Sequence, residues 1–248
     1  MEKIVAVFNS DKFVFEAPSA IARARRVLIK PVAGYPMPYP ITTSREMMVS
    51  IIMGIRRISD ADILILDGMS NGEPMAPMYN ELRYDFPRVL TLDVRGATLV
   101  EVENPLLKPL VMSTFMLPSI ILSSDYLISV TPLKVIGGVG RLSISNLLGL
   151  VPISRYGTSV KGSWEELHDS GADKVLADLF YTMPFDLGII EASYKFTSTS
   201  DGVNGEKEAL GKVFVGEPYQ VDTEVSQSLG IKVDYLRLID EARADLEA

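Results

Sequence analysis

A glycine-rich segment in the middle of the chain has the residue types best suited to holding a ligand. An apolar run leads through Lys134 to Arg141. Between these two cations lie Gly137, Gly138 and Gly140. Glycines let backbone N–H groups approach a ligand closely, and the start of a following helix adds partial positive charge. We therefore predict that this strand-to-helix loop binds a phosphate or a carboxylate.

An alternative remains open for this segment. Its spacing matches neither the Walker pattern nor the dinucleotide fingerprint, since both require differently placed glycines. In this alternative, the segment is a tight turn flanked by two solvated cations and binds no ligand.

Three ionisable residues each follow an apolar, strand-like run. They are Lys30, Asp67 and Glu191. Because ligands of α/β proteins bind at the carboxyl ends of parallel strands, we predict that Lys30 contacts the ligand. Asp67 and Glu191, together with Lys134, are the predicted acid–base groups. The alternatives are a lysine that reaches water from a strand end and an aspartate that caps its own turn.

The elements that must position these residues alternate between strand-like and helix-like patterns. Strands are predicted at 3–8, 27–29, 62–67, 89–94 paired with 98–102, 126–130, 186–192 and 212–215. Helices are predicted at 18–26, 43–58, 142–148, 164–180, 219–229 and 233–246. Thr43 and Glu46 have the spacing of a capping box at the start of the second helix. Alternate prolines make residues 32–41 a stiff loop.

This alternation predicts an α/β fold. Its sheet is mixed but largely parallel, with helices packed on both faces. Because no linker or repeat separates parts of the chain, residues 1–248 are predicted to form one layered domain.

Composition excludes several classes of site. The chain has 248 residues, a net charge of −8, no cysteine and one histidine, His168. Thiolate-ligated iron–sulfur clusters, disulfides and histidine-rich metal sites are therefore not expected, and the cofactor stays unknown. His168 lies among acidic residues, so it is predicted to be a surface residue and no Ser–His–Asp triad is expected. Trp164 is predicted to be a packing residue.

Charge and hydropathy also bear on partners and location. An acidic chain does not favour nucleic acid, because phosphate contacts require a basic surface. The apolar stretch 106–122 is broken by Lys108, Pro109 and Pro118, so no membrane span is expected. A cytoplasmic location is predicted, and the absence of cysteine with only two glutamines fits a heat-adapted source.

Several sequence blocks resemble the domain-of-unknown-function family 362. These blocks are 27–31, 42–44, 61–68, 124–134, 145–152, 216–222 and 229–230. Members of that family are uncharacterised, and some are joined to ferredoxin-like iron–sulfur modules. This chain differs because it has no cysteine, and Val135-Ile136 stands where the family has a histidine.

The resemblance implies further ligand-binding residues. Thr42 and Thr43 lie in the second block, Asn146 follows the glycine segment, and Asp222 lies in the C-terminal block. The resemblance suggests Lys30, Lys134, Asn146 and Asp222 as the motif residues of a site, and Thr42 and Thr43 are predicted to bind the ligand as well. Asp222 also has a purely structural alternative, because a carboxylate early in a helix suits the helix dipole.

Three functions are consistent with these residues. The first is the binding of a small anionic ligand, which would be the substrate if the protein is an enzyme. The second is a non-catalytic ligand- or partner-binding protein that uses the same cleft or the apolar face 112–117, and a homo-oligomer is compatible with it. The third is a metal-dependent hydrolase, whose carboxylate ligands would be Asp67, Glu73, Glu191 and Asp222.

Overall fold

The computed structural model describes residues 5–156, 171–200 and 202–247. The strands are β1 Ala6–Asn9, β2 Arg26–Pro31, β3 Asp62–Asp67, β4 Val89–Asp93, β5 Leu99–Glu103, β6 Thr114–Pro118, β7 Tyr126–Ile136, β8 Val139–Arg141, β9 Leu187–Ser198 and β10 Glu206–Gly216. The α-helices are α1 Arg45–Arg56, α2 Ala76–Glu81, α3 Ser119–Leu122, α4 Ile153–Tyr156, α5 Ala172–Thr182, α6 Pro218–Leu229 and α7 Asp234–Glu247. Short 3-10 helices lie at Ser10–Lys12, Ser19–Arg23, Val94–Gly96 and Ile144–Leu150.

The main sheet has the strand order β1-β10-β9-β7-β2-β3-β4, and β8 pairs with β7. Its centre is parallel, because β2 pairs in parallel with both β3 and β7, and β7 pairs in parallel with β9. The strands β1, β8 and β10 pair antiparallel with their neighbours. The prediction of a mixed, largely parallel sheet is confirmed. The central strands of the sheet are buried on both faces. Such strands have continuous apolar sequences, and Val27-Leu28-Ile29 in β2 is an example.

Helices cover both faces of this sheet, as predicted. Successive side chains of a strand point to opposite faces, so Leu28 and Ile29 belong to different cores. The core on the Ile29 side includes the apolar stripe of α1, for example Ile51. The core on the Leu28 side includes residues of α5, α6 and α7, such as Leu176 and Ile239.

Two local predictions at element ends are wrong. The N-cap of α1 is Ser44, whose hydroxyl accepts a hydrogen bond from Met47 N at 3.0 Å. Thr43 cannot cap this helix because its hydroxyl is engaged with the backbone of Val32 and Val130. The predicted helix at 18–26 is only a 3-10 helix, Ser19–Arg23, since β2 already begins at Arg26.

The predicted pairing of 89–94 with 98–102 is also wrong. β4 lies beside β3 in the main sheet, whereas β5 pairs with β6 in a separate two-stranded sheet. A 3-10 turn at Val94–Gly96 separates β4 from β5, and the Asp93 carboxylate accepts a hydrogen bond from Arg95 N within it. This turn redirects the chain out of the main sheet.

The glycine-rich segment has a different structure from the predicted strand-to-helix loop. β7 continues to Ile136, turns at Gly137-Gly138 and returns as β8, so the segment is a β-hairpin. Gly137 and Gly138 have φ values of 58° and 80°. Positive φ at both central residues is what the favoured two-residue hairpin turn needs, so these glycines serve the turn.

Other predictions fall partly outside the described residues. Of the helix predicted at 164–180, only the part from Ala172 can be compared with α5. His168 and Trp164 lie in the part of the chain that is not described. Across the described helices, none is both long enough and apolar enough to cross a bilayer.

Candidate functional site

A cleft with a volume of about 390 Å³ opens at the carboxyl ends of β2, β3 and β7. It is lined also by the loop after β2 and by the 3-10 helix Ile144–Leu150. This is the position at which α/β sheets usually bind ligands. Its polar and charged lining includes Lys30, Asp67, Thr131, Lys134, Arg141 and Asn146. The structure thus brings together five of the predicted site residues and adds Thr131.

A buried ion pair forms the base of the cleft. Lys30 Nζ lies 2.7 Å from Asp67 Oδ1 and donates to Asn146 Oδ1 at 2.7 Å and to Pro31 O at 2.8 Å. All three ammonium hydrogens therefore have acceptors. Burial lowers the pKa of Lys30, and the Asp67 carboxylate opposes this shift. Lys30 is thus fully engaged by the protein itself.

Asp67 and Asn146 are held as firmly as Lys30. Asp67 Oδ2 accepts from Ala33 N at 2.8 Å, and its Oδ1 accepts from Gly68 N at 2.7 Å as well as from Lys30. The Asn146 amide nitrogen donates to Lys30 O at 2.7 Å. The arrangement fixes the loop after β2 and the 3-10 helix against the strand ends, so it shapes the floor of the cleft.

Lys134 is a second buried lysine in the cleft, and its surroundings differ sharply from those of Lys30. Its Nζ donates to Ile41 O at 3.1 Å and lies 5.1 Å from the centre of the Tyr35 ring. Within the described ranges it forms no ion pair. Burial lowers the pKa of Lys134 to about 8; the Asp67 carboxylate opposes this, while the Lys30 charge adds to it.

Arg141 lies directly opposite Lys134 across the β7–β8 hairpin. Directly opposed residues of antiparallel strands project from the same face of the sheet, and both side chains line the cleft. Thr131 lies three residues before Lys134 on β7 and also lines the cleft, although the residue is only 2% exposed. Its hydroxyl has no hydrogen-bond partner in the described part of the molecule. Among the described residues, the cleft therefore offers two cations that form no ion pair and a hydroxyl without a hydrogen-bond partner, while the Arg141 charge acts on the Asp173 carboxylate from a longer distance.

Glu191 does not lie in this cleft. Its carboxylate accepts a hydrogen bond from Ser44 N at 3.0 Å, at the start of α1, and lines a separate cavity of about 360 Å³. The two cavities have no described lining residue in common. Burial raises the pKa of Glu191 to about 7, against hydrogen bonds from Ser44 that lower it. The predicted acid–base group thus belongs to the face of the sheet covered by α1.

Thr42 and Thr43 also lie outside the cleft lining, although they support its rim. The Thr42 hydroxyl donates to Met37 O at 2.5 Å. The Thr43 hydroxyl donates to Val130 O at 2.9 Å and accepts from Val32 N at 3.0 Å. Both threonines therefore hold the loop after β2 in place.

Asp222 has a structural role on the other side of the hairpin. Its carboxylate accepts hydrogen bonds from Ser143 N, Ser143 Oγ, Ile144 N and the Tyr235 hydroxyl, at 2.6 to 2.9 Å. Burial raises the pKa of Asp222 to about 6, and these hydrogen bonds oppose the shift. It therefore caps the 3-10 helix that follows β8, where the sequence had suggested a ligand.

The three glycines are absent from the cleft lining as well. Gly137 and Gly138 form the hairpin turn, and Gly140 packs closely, since a Cβ there would lie 2.7 Å from Ile231. Sequence reasoning missed Thr131. A usable signal was present, because Ser129 and Thr131 alternate with apolar residues and mark a polar face within an otherwise apolar strand.

Comparisons with known proteins agree with the sequence blocks described above. The model of one protein family, DUF362 (Domain of unknown function), matches residues 27–226. That range includes every residue that lines the cleft. No curated protein gives a significant match. Because the matched range covers most of this chain, the chain belongs to the DUF362 family.

Proposed function

We propose that the cleft at the ends of β2, β3 and β7 binds a small anion that carries a carboxylate or a phosphate. The observation that carries the proposal is a set of donors without acceptors. Lys134 has no carboxylate partner, Arg141 forms no ion pair within the described part of the chain, and the Thr131 hydroxyl is buried and unpaired.

The charge of the cleft favours the same ligand class. Among the described lining residues there are three cations, Lys30, Lys134 and Arg141, and one carboxylate, Asp67. Asp67 is already paired with Lys30, so the two remaining charges have no partner within the lining. A buried cation without a partner is costly, and a bound anion would remove that cost. Arginine adds specificity because its planar fork matches carboxylate and phosphate oxygens.

We also propose that the ligand is a substrate. Lys134 is a titratable group in a concave site, with a pKa displaced towards neutrality by burial, and such groups cluster at functional sites. The alternative is a non-catalytic binding protein that uses the same cleft. A carboxylate-based metal hydrolase has less support, since Asp67, Glu191 and Asp222 lie in three separate places.

A cytoplasmic location, a heat-adapted source and homo-oligomer formation stay predictions from the sequence.

Ligand binding can be tested by the thermal unfolding midpoint of the whole chain in the presence of sulfate, phosphate, lactate and pyruvate. A ligand that binds the folded state raises the midpoint by mass action. We expect at least one of these anions to raise it, and Arg141→Ala to abolish the rise. Arg237→Ala is the matched control, because it removes the same charge from the exposed face of α7. No rise with any anion, or an equal loss in both variants, would contradict the proposal.

A further inference from the structure

We propose that Lys134 forms an imine with the carbonyl carbon of a 2-oxo acid whose carboxylate is bound by Arg141. This inference rests on the proposed anion site and names its substrate class.

The position of Lys134 suits a nucleophile. It is 5% exposed, yet it lines an open cleft, so a ligand can reach the amine while bulk water is largely excluded. Within the described part of the chain its Nζ makes one hydrogen bond, to Ile41 O, and the face of the Tyr35 ring lies beside it. The contrast with Lys30 is informative, because Lys30 donates to three protein acceptors and has no free hydrogen.

The electrostatic surroundings of Lys134 favour its neutral, reactive form. A lysine becomes a nucleophile when an apolar setting or a nearby cation disfavours its ammonium form. Both conditions are met here, because burial is the largest cause that lowers the pKa of Lys134 and the nearby Lys30 charge lowers it further. Together they outweigh the Asp67 carboxylate, which raises it. No carboxylate contacts Lys134 directly among the described residues, so the amine is not held in the charged form by an ion pair.

The pairing of Lys134 with Arg141 selects a 2-oxo acid among carbonyl compounds. Directly opposed residues of an antiparallel pair have Cβ atoms about 5 Å apart, so the two side chains enter the cleft side by side. In a 2-oxo acid the carbonyl carbon is bonded directly to the carboxylate carbon. A carboxylate on the Arg141 guanidinium therefore presents the adjacent carbonyl to Lys134. The Thr131 hydroxyl, which lines the same cleft and has no hydrogen-bond partner among the described residues, is available to the carbonyl oxygen.

The chemical step needs no further reactant. The lone pair of the neutral Lys134 amine attacks the carbonyl carbon, and the carbonyl oxygen takes up protons and leaves as water. A carbon–nitrogen double bond replaces the carbon–oxygen double bond, and both hydrogens of the amine are lost overall. When protonated, the imine retains one positive charge at this position, so attraction for the ligand carboxylate persists.

The test is reductive trapping. The whole chain is incubated at pH near the pKa of about 8 with glyoxylate or pyruvate and sodium cyanoborohydride, and the modified residue is located by peptide mapping and mass spectrometry. We expect one stable adduct, on Lys134. Lys134→Arg keeps the charge and is expected to lose the adduct, whereas Lys174→Arg, at an exposed site outside the cleft, should keep it.

The two proposals fail in different ways. Lactate has the carboxylate but not the carbonyl, so its binding, measured by calorimetry, reports the anion site alone. If lactate binds in an Arg141-dependent manner and no adduct forms on Lys134, the imine is overturned while the anion site stands. If lactate and the oxo acids do not bind but sulfate or phosphate does, the imine is overturned and the anion site stands. If none of these anions binds, both proposals are overturned. Adducts spread equally over exposed lysines would also overturn the imine. Peptide mapping of the trapped parent chain, which carries no substitution, is sufficient to detect this outcome.

Discussion

Gly149 lies directly against the ammonium group of Lys30. A Cβ built on Gly149 would lie 2.6 Å from Lys30 Nζ and 2.8 Å from Asp67 Oδ1. The backbone of the 3-10 helix therefore closes over the ion pair without room for a side chain. This contact couples the helix that carries Asn146 to the strand ends that form the floor of the cleft.

We expect Gly149→Ala to destabilise the protein, because the added methyl group must displace the buried ion pair. Overpacking of this kind costs about 1–3 kcal/mol in the free energy of unfolding. Gly96→Ala is the control, since a Cβ at Gly96 meets no atom within 4 Å. Urea unfolding of both variants measures the difference. Equal midpoints for Gly149→Ala and the parent chain would show that the ion pair is free to move.

Removing the charge of one partner in the Lys30–Asp67 ion pair should lower the free energy of unfolding strongly. Asp67→Asn leaves the Lys30 ammonium buried without a charged partner, so we expect a loss of about 3–5 kcal/mol in the free energy of unfolding. The double variant Lys30→Met/Asp67→Leu removes both charges and should be less destabilised than the single variant. On the surface, Lys195→Ala removes the partner of Glu208 and should cost only about 0–1 kcal/mol. A double variant that is destabilised as much as Asp67→Asn, or more, would argue against a coupled pair.

Glu191 should make stability depend on pH in the opposite direction from a paired carboxylate. Its folded-state pKa is raised from 4.5 to about 7, so the folded protein binds the proton more tightly than the unfolded chain. Stability therefore falls as pH rises from about 4.5 to about 7 and changes little with this group outside that window.

Substitution of Glu191 by glutamine removes the titration but keeps an acceptor for Ser44 N. The decline of the unfolding free energy between these two pH values should flatten in Glu191→Gln. Glu81→Gln, at an exposed position, serves as the matched control and should follow the parent chain. If the parent and Glu191→Gln have the same pH profile, the carboxyl group is not displaced from its usual pKa.

The fold was more predictable than the site, and the reason lies in the range of the interactions. Runs such as Ile63-Leu64-Ile65-Leu66 determine a strand locally, and Lys30 and Asp67 could be placed together because parallel strands end at one edge. Long-range pairing was not predictable in the same way. The partner of β5 is β6 rather than β4, and nothing in the sequence of β4 or β5 alone shows this.

The same limit explains why some of the predicted site residues lie outside the cleft. Glu191 ends an apolar run just as Asp67 does, but a strand has two faces, and Glu191 projects to the side of α1. Asp222 is held in a cap that forms only when α6 packs beside the 3-10 helix, a contact 78 residues apart in the chain. The glycines were interpreted as a helix entrance, whereas their positive φ values belong to a hairpin turn.

The last prediction concerns the charge of Lys134 in anion binding. Its pKa of about 8 means that the ammonium form is lost as pH rises through that value, and attraction for an anion is lost with it. We expect the affinity for lactate to be greatest below about pH 8 and to fall above it, because binding favours the charged form of Lys134. Calorimetric titrations across this pH range measure the trend.

Lys134→Arg provides the decisive comparison, since a guanidinium stays protonated throughout this range. In that variant the affinity should no longer fall as pH rises through about 8. Lys174→Arg makes the same exchange at an exposed site outside the cleft and should retain the parent's decline. If the decline persists unchanged in Lys134→Arg, another group controls the affinity. The buried lysine between Ile41 O and the Tyr35 ring would then not be the cation that draws the ligand into the cleft.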